Sequence, residues 1–132
     1  MTDIAADAKV RRYLRDLQAF AAEAAYVASR GRDLYTADSP EGRLLRNAGE
    51  RILIKVATVV ERLPQSFKDA YPTIDWVKIA RMRNLVAHHY DHVDDDLLWA
   101  ALTGRIPALA DALARDPLAA PPGDEGFLPQ VS

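Results

Sequence analysis

Two long stretches of the chain repeat apolar residues at intervals of three and four, the spacing that places side chains on one face of an α-helix. The first predicts a helix over about residues 3–29. Its apolar stripe comprises Val10, Tyr13, Leu14, Leu17, Phe20, Ala21, Ala24, Val27 and Ala28. The second stripe comprises Leu45, Ala48, Ile52, Val56, Val59 and Leu63. Two such helices in 132 residues leave little room for strands, so we predict an all-α, antiparallel bundle of four to five helices.

Start and stop signals mark the ends of these two helices. Gly31 is a natural stop for the first, and residues 33–40 are predicted to form a loop. Ser39 can cap the second helix with Pro40 in its first turn, and Pro64 ends it.

Shorter elements are predicted in the second half of the chain. A short piece covers residues 66–70, and Asp75 favours the start of a third helix that runs beyond residue 87. Gly104 and Pro107 predict a break, with a separate short helix over residues 108–114.

The chain length suits a single domain, which we assign to residues 1–115, followed by a Pro/Gly-rich tail over residues 116–132. The absence of cysteine excludes disulfides and thiolate chemistry. A net charge of −2 gives no general attraction to nucleic acid, so any such contact needs a local basic patch. The acidic N-terminus does not resemble a signal peptide, and we expect no membrane association and a cytoplasmic location. The two long stripes could cover more surface than one chain supplies, which favours a homodimer.

The third predicted helix carries an arginine, a histidine and a tyrosine within eight residues: Arg83, His88 and Tyr90. In an ideal helix Arg83 falls in the middle of an apolar stripe. Because burying an unpaired guanidinium is costly, Arg83 must face a carboxylate, a phosphate or a solvated cleft.

These residue types suit phosphodiester chemistry. A histidine titrates near neutrality and can transfer a proton, while an arginine can hold a phosphate through two parallel hydrogen bonds. Without a metal, such a pair can assist the attack of a ribose 2′-hydroxyl on the adjacent phosphorus. In an ideal helix, however, Arg83 and His88 point in different directions. Either the helix loosens near His88, the arginine reaches round it, or a second chain completes the site.

Other interpretations of the same residues stay open. Arg83 and His88 could form an ion pair and a helix C-terminal cation, and Tyr90 could be a core residue with a satisfied hydroxyl. His88 and His92 could bind a metal, with Asp91 or Asp95 as an oxygen ligand.

Three consecutive aspartates, Asp94, Asp95 and Asp96, precede an apolar segment. Carboxylates are typical of a helix N-terminus, where they complement exposed amide groups, and we favour that interpretation over a metal-binding role.

The segment RNLVAHHY resembles the signature of HEPN domains, and its tyrosine two residues after the histidine is typical of the HepT-like subgroup. The preceding run YPTIDWVKIARMRN and the later DLLWAAL and IPAL are also similar to that subgroup. The resemblance covers roughly residues 3–114.

The resemblance implies a metal-independent RNA endonuclease without a cofactor, acting as the toxin of a toxin–antitoxin pair. It implies that Arg83 and His88 are catalytic, that Asn84 is the polar residue beside the arginine, and that the cleft forms between two chains of a homodimer. It also implies a partner, an MNT-type nucleotidyltransferase antitoxin, that silences the toxin by transferring AMP to Tyr90. Local RNA contacts are expected from Lys78 and Arg81.

The chain departs from the family pattern at two places. Ala87 and His89 flank the histidine, where a hydrophobic and an acidic residue are usual. The usual Ile-Gly-Glu step of the second helix reads Ile54, Lys55, Val56 here, which leaves Asp91 or Glu50 as substitute partners for Arg83. Two alternatives to the nuclease are a catalytically silent HEPN module, which binds nucleotide or a nucleotidyltransferase, and a plain dimeric scaffold.

Overall fold

The computed structural model of the protein describes residues 2–87 and 94–119. Over these ranges the chain is helical and contains no strand, which confirms the prediction of an all-α bundle. The elements are α1 (Thr2–Ser29), α2 (Arg32–Tyr35), α3 (Pro40–Arg62), α4 (Gln65–Asp69), α5 (Trp76–Ala80), a 3₁₀ turn (Arg81–Arg83), α6 (Asn84–Ala87), α7 (Asp95–Ala100), a π-helical segment (Ala101–Arg105), α8 (Ile106–Leu113) and a second 3₁₀ turn (Pro117–Ala119). None of the described helices is long and apolar enough to span a membrane.

The core lies where α3, α8 and the π-helical segment pack on α1. The two predicted apolar stripes are buried or half-buried, except for Ala48, which is exposed. Gln18 of α1 donates a hydrogen bond to the carbonyl of Ala110 at 2.8 Å and ties α8 to α1. Helix α5 and the 3₁₀ turn after it pack on α3, which places the predicted site against the C-terminal half of α3.

The predicted end signals of the long helices are confirmed. Gly31 adopts a φ of 91°, a conformation that favours glycine, and ends α1. The Ser39 hydroxyl accepts a hydrogen bond from the backbone N–H of Gly42 at 3.1 Å and caps α3. The loop predicted for residues 33–40 is partly wrong, because α2 forms one helical turn there. That turn buries Tyr35 completely, with its ring 5.2 Å from that of Trp99.

The later helix starts are capped by carboxylates, as predicted. Asp75 accepts from the backbone N–H of Lys78 at 3.0 Å. Asp94 accepts from the backbone N–H groups of Asp96 and Leu97, both at 3.1 Å. The capping interpretation of the aspartate run is therefore confirmed for Asp94.

The break predicted at Gly104 and Pro107 is wrong. The chain stays helical from α7 into α8, and a π-helical turn joins them. Proline in a helix lacks an N–H and crowds the carbonyl four residues earlier, and a π turn with its wider hydrogen-bonding step can absorb that disturbance. Helix α8 consequently begins at Ile106, two residues before the predicted start.

The predicted tail begins with four residues that pack on the domain. The Tyr71 hydroxyl donates to the carboxylate of Asp116 at 2.5 Å, and Asp116 in turn accepts from the N–H of Leu118 at 2.9 Å. Leu118 and Ala119 pack against the core. Residues 120–132 lie outside the described ranges.

Candidate functional site

Arg83 lies at the end of the 3₁₀ turn and reaches across to α3. Its Nη2 is 2.7 Å from Oε1 of Glu61 and donates a hydrogen bond to the Thr58 hydroxyl at 3.2 Å. The Thr58 hydroxyl donates its own proton to the carbonyl of Ile54 at 2.8 Å, which leaves its lone pairs for the guanidinium. Of the three partners expected for Arg83, a carboxylate, a phosphate or a solvated cleft, the structure shows a carboxylate.

The sequence did not identify Glu61 as that carboxylate. Of the two substitutes considered, Asp91 lies outside the described residues and Glu50 lies elsewhere on α3. Burial and the negative charge of Asp95 raise the pKa of Glu50, and Arg46 partly offsets this. The available signal was the spacing of Thr58 and Glu61, which stand one turn apart on α3 and present a hydroxyl and a carboxylate together.

The Arg83 side chain is anchored through Nη2 and stays partly accessible. Both of its contacts use Nη2, while its Nε is buried and has no hydrogen-bond partner within the described part of the chain. The side chain keeps 39% of its surface exposed, and that of Glu61 keeps 46%. An arginine held in this way can present its exposed donors to a phosphate oxygen without free rotation of the guanidinium.

The backbone around Arg83 differs from the single helix predicted for this segment. Helix α5 ends at Ala80, and a 3₁₀ turn intervenes before α6 begins at Asn84. The helix therefore loosens at Arg83, whereas the loosening near His88 that was one of three alternatives falls outside the described residues.

The predicted site residues fall on different faces of this segment. Arg83 faces α3, whereas Lys78 and Arg81 line a groove against α7 and α8. Asn84 is exposed. His88, Tyr90, Asp91 and His92 lie outside the described residues, so the structure gives no distance from Arg83 to the histidine or to the tyrosine.

A surface groove of about 700 Å³ opens beside the Arg83–Glu61 pair. Glu61 lines it together with Lys68, Trp76, Val77 and Ala80. The Trp76 indole N–H donates to the carbonyl of Lys68 at 3.1 Å, which fixes the ring in the wall of the groove. The groove offers a concave surface next to the anchored arginine, of a size that suits a small ligand or a segment of a polymer.

Two of the aspartates after the motif face arginines in the structure. Asp95 faces Arg46, with 3.9 Å between Oδ2 and Nε, and Asp96 forms an ion pair with Arg32. Among the residues that the structure describes, no group of three or more histidine, cysteine or acidic side chains could hold a metal ion. The alternative with His88 and His92 as ligands falls outside these residues.

Comparison with known proteins relates the chain to a family of ribonucleases. A family model described as Ribonuclease HepT-like matches residues 10–115. A candidate RNase of Methanocaldococcus jannaschii is 30% identical over 57 residues, which are 43% of this chain and 47% of that protein. A candidate ribonuclease HepT of Thermococcus cleftensis is 36% identical over 59 residues, or 45% and 54%.

More distant relatives extend the match. A candidate RNase of Caldanaerobacter subterraneus is 26% identical over 87 residues, which are 66% of this chain and 78% of that protein. The match spans about half the length of the M. jannaschii and T. cleftensis proteins. No solved structure matches the chain significantly.

Proposed function

The chain belongs to the ribonuclease HepT-like family, and on this premise we propose that it is a metal-independent RNA endonuclease whose catalytic residues are Arg83 and His88. The observation that supports this most is the anchoring of Arg83. A guanidinium held at one nitrogen by Glu61 and Thr58, and still 39% exposed, suits the stabilisation of charge on a phosphate. The guanidinium is thus held in place while part of it stays accessible to a substrate.

In the proposed reaction the ribose 2′-hydroxyl attacks the adjacent phosphorus. The O2′–P bond forms, the P–O5′ bond breaks, the 2′-hydroxyl loses its proton and the departing O5′ gains one. His88 can serve one or both of these proton transfers because an unperturbed imidazole titrates near neutral pH. Arg83 stabilises the charge that builds on the non-bridging phosphate oxygens, and the exposed Asn84 can donate a hydrogen bond to the same phosphate.

Glu61 acts as a positioning residue in this proposal. Its carboxylate fixes the orientation of Arg83 but does not itself contact the RNA. Arginine has several rotatable bonds, so holding the guanidinium in place reduces the entropy lost when the substrate binds.

The regulatory part of the proposal concerns Tyr90 and a partner protein. An MNT-type nucleotidyltransferase antitoxin would transfer AMP from ATP to the Tyr90 hydroxyl, which forms a phosphodiester and releases pyrophosphate. The adduct adds a bulky anion two residues from His88, where it would fill the cleft and compete with RNA for Arg83. A homodimer, whose second chain completes the cleft, is part of the same proposal, as is a role as a toxin.

The test is cleavage of a mixed cellular RNA by the purified protein in EDTA, beside Arg83→Ala and His88→Ala, with the intact mass of each sample recorded. Cleavage by the wild type, and by neither variant, is the expected result. No cleavage by an unmodified, folded dimer would overturn the proposal and favour a catalytically silent module. A mass excess in steps of one AMP would show that the silenced form had been assayed.

A separate test addresses Tyr90. After co-expression with the cognate nucleotidyltransferase, we expect the wild type to gain the mass of AMP and Tyr90→Phe to gain none while it still cleaves RNA. An unchanged wild-type mass would rule out the AMP-transfer step, without bearing on the nuclease itself.

A further inference from the structure

A second groove lies on the side of the motif segment that faces away from Glu61. Lys78 and Arg81 form one wall, and Arg105, the last residue of the π-helical segment, lies on the other. Its volume is about 580 Å³. We call it the basic groove and propose that it binds the sugar–phosphate backbone of single-stranded RNA next to the cleavage site. This inference rests on the proposed function and adds Arg105 to the residues that hold the substrate.

Within the described part of the chain, no carboxylate compensates the charge of the basic groove. No acidic residue among the described ones lines it, and none of its three cations forms an ion pair with them. Elsewhere in the described part of the chain, five arginines form ion pairs with carboxylates. Examples are Arg30 with Glu41, Arg43 with Asp38 and Arg83 with Glu61. Three like charges that face one concavity repel one another unless an anion occupies it, so the arrangement favours a polyanionic ligand.

The shape of the groove suits a segment of single-stranded RNA better than a free nucleotide. Lys78 and Arg81 stand one helical turn apart, so they can contact successive points along a backbone. A smaller groove of about 210 Å³ continues from the same place and shares Lys78 and Arg105 with the basic groove. Its one acidic residue, Asp75, already accepts the capping hydrogen bond of α5 at 3.0 Å. The two grooves together therefore form an open, extended surface and not a closed pocket.

The walls between the cations are apolar. Met82 is buried at the base, Leu85 is half-buried, and Leu97 keeps 50% of its surface exposed. An apolar wall beside cations suits a nucleotide, whose base can pack against carbon while its phosphate meets a charge. Leu85 directly follows Asn84, so a strand whose reacting phosphate is at Arg83 can continue over Asn84 into the groove.

The π-helical segment sets the position of Arg105 and leaves space beside it. π turns are frequent at functional sites, because the extra residue re-aims side chains without ending the helix. Gly104 also lines the groove, and a Cβ at this position would meet no atom within 4 Å. A side chain placed at residue 104 can therefore enter the groove without disturbing the packing of the domain.

The experiment measures RNA binding without turnover. A labelled single-stranded RNA of about 20 nucleotides is titrated with His88→Ala protein by fluorescence anisotropy at several salt concentrations. Variants that carry a second substitution, Arg105→Gln or Gly104→Glu, are compared with Arg115→Gln and Gly104→Gln. Arg115 is exposed and lies outside the groove, so its substitution controls for the loss of one positive charge.

We expect Arg105→Gln and Gly104→Glu to weaken binding about tenfold, and Arg105→Gln to reduce the salt-dependence slope by about 0.7, as for one lost phosphate contact. Arg115→Gln should change neither quantity, and Gly104→Gln should bind more tightly than Gly104→Glu. Thermal melting checks that each variant is folded. If Arg105→Gln fails to fold, the comparison of Gly104→Glu with Gly104→Gln tests whether RNA occupies the groove.

Equal dissociation constants and slopes for all variants would overturn the inference, as would an equal loss with Arg115→Gln. No RNA binding at low salt would overturn it too. Unchanged RNA binding together with lost binding of an acidic partner protein would assign the groove to that partner instead. Binding is measured in His88→Ala protein, which is not expected to cleave RNA. A failure to bind RNA in the groove is therefore distinguishable from a failure to cleave it.

Discussion

Arg83 and Glu61 face each other across the contact between the 3₁₀ turn and α3, with 2.7 Å between Nη2 and Oε1. Both side chains are about half exposed, so the pair should contribute no more than about 1 kcal/mol to the free energy of unfolding. In the proposed nuclease, the pair matters because it orients the guanidinium of Arg83. A stability effect and an activity effect can therefore be separated by substitution at Glu61.

We expect Glu61→Ala to lower kcat/KM for RNA cleavage about tenfold, equivalent to about 1.4 kcal/mol of transition-state stabilisation. Glu61→Gln keeps an acceptor oxygen and should lose less. Single-turnover cleavage together with thermal melting measures both effects.

The matched control for Glu61 is Glu41→Ala, which breaks an equally short exposed ion pair, with Arg30, away from the site. It should leave kcat/KM unchanged. Wild-type kcat/KM in Glu61→Ala would show that Glu61 does not position Arg83.

Gly49 is required by close packing inside the bundle. A Cβ at this position would lie 2.7 Å from the Tyr35 hydroxyl and 2.9 Å from Cδ1 of Leu102. We expect Gly49→Ala to lower the free energy of unfolding by about 1–3 kcal/mol, as overpacking does in other cores. Urea denaturation measures the change.

Gly104→Ala controls for the helix propensity of alanine. Its Cβ would meet nothing within 4 Å, so we expect a stability gain of about 0.5–1 kcal/mol. A Gly49→Ala protein as stable as Gly104→Ala would contradict the packing argument.

Tyr35 carries a fully buried hydroxyl that has no hydrogen-bond partner among the described residues. Burial raises its pKa well above the ordinary value, with Asp95 and Glu50 adding to the effect, so the hydroxyl stays protonated. Removing an unsatisfied buried group costs little, and we expect Tyr35→Phe to be neutral or to stabilise by about 1 kcal/mol.

The same change should rescue Gly49→Ala in part, because it removes the nearest contact to the added methyl group. A double-mutant cycle of Tyr35→Phe and Gly49→Ala measures this coupling, and strict additivity of the two changes would argue against it.

Tyr71 and Asp116 give the unfolding free energy a pH dependence in the alkaline range. The hydrogen bond to Asp116, together with burial and the charge of the carboxylate, raises the pKa of Tyr71 to about 12. The unfolded value is about 10, so the folded protein binds more protons between these values. The contribution of the pair is complete below about pH 10 and is lost as the pH rises toward about 12.

We therefore expect Tyr71→Phe to be about 1 kcal/mol less stable than wild type at pH 8, with the difference shrinking between about pH 10 and 12. Urea denaturation at a series of pH values measures it. Asp116→Asn should flatten the same dependence, since it removes the carboxylate. A difference that stays constant from pH 8 to 12 would contradict the assignment.

The local pattern of the sequence predicted most of the fold. The apolar spacing of α1 and α3 and the caps at Ser39 and Asp94 were correct, because each depends on residues within a turn or two of one another. The prediction that Arg83 faces a carboxylate, a phosphate or a solvated cleft was also correct, since it follows from the cost of burying an unpaired charge. The roles of His88 and Tyr90, the homodimer and the antitoxin stay predictions.

The sequence alone determined that this chain is helical, which faces of its long helices are buried, and that Arg83 must face a carboxylate, a phosphate or a solvated cleft. Only the tertiary structure decided that the partner is Glu61, that Lys78 and Arg81 turn away from Arg83 toward Arg105, and that the helix continues through Pro107. Periodicity and capping act between near neighbours and can be read along the chain. Which side chains meet across two helices depends on how α5 and α8 are seated in the bundle, and that is set by the packing of the whole core.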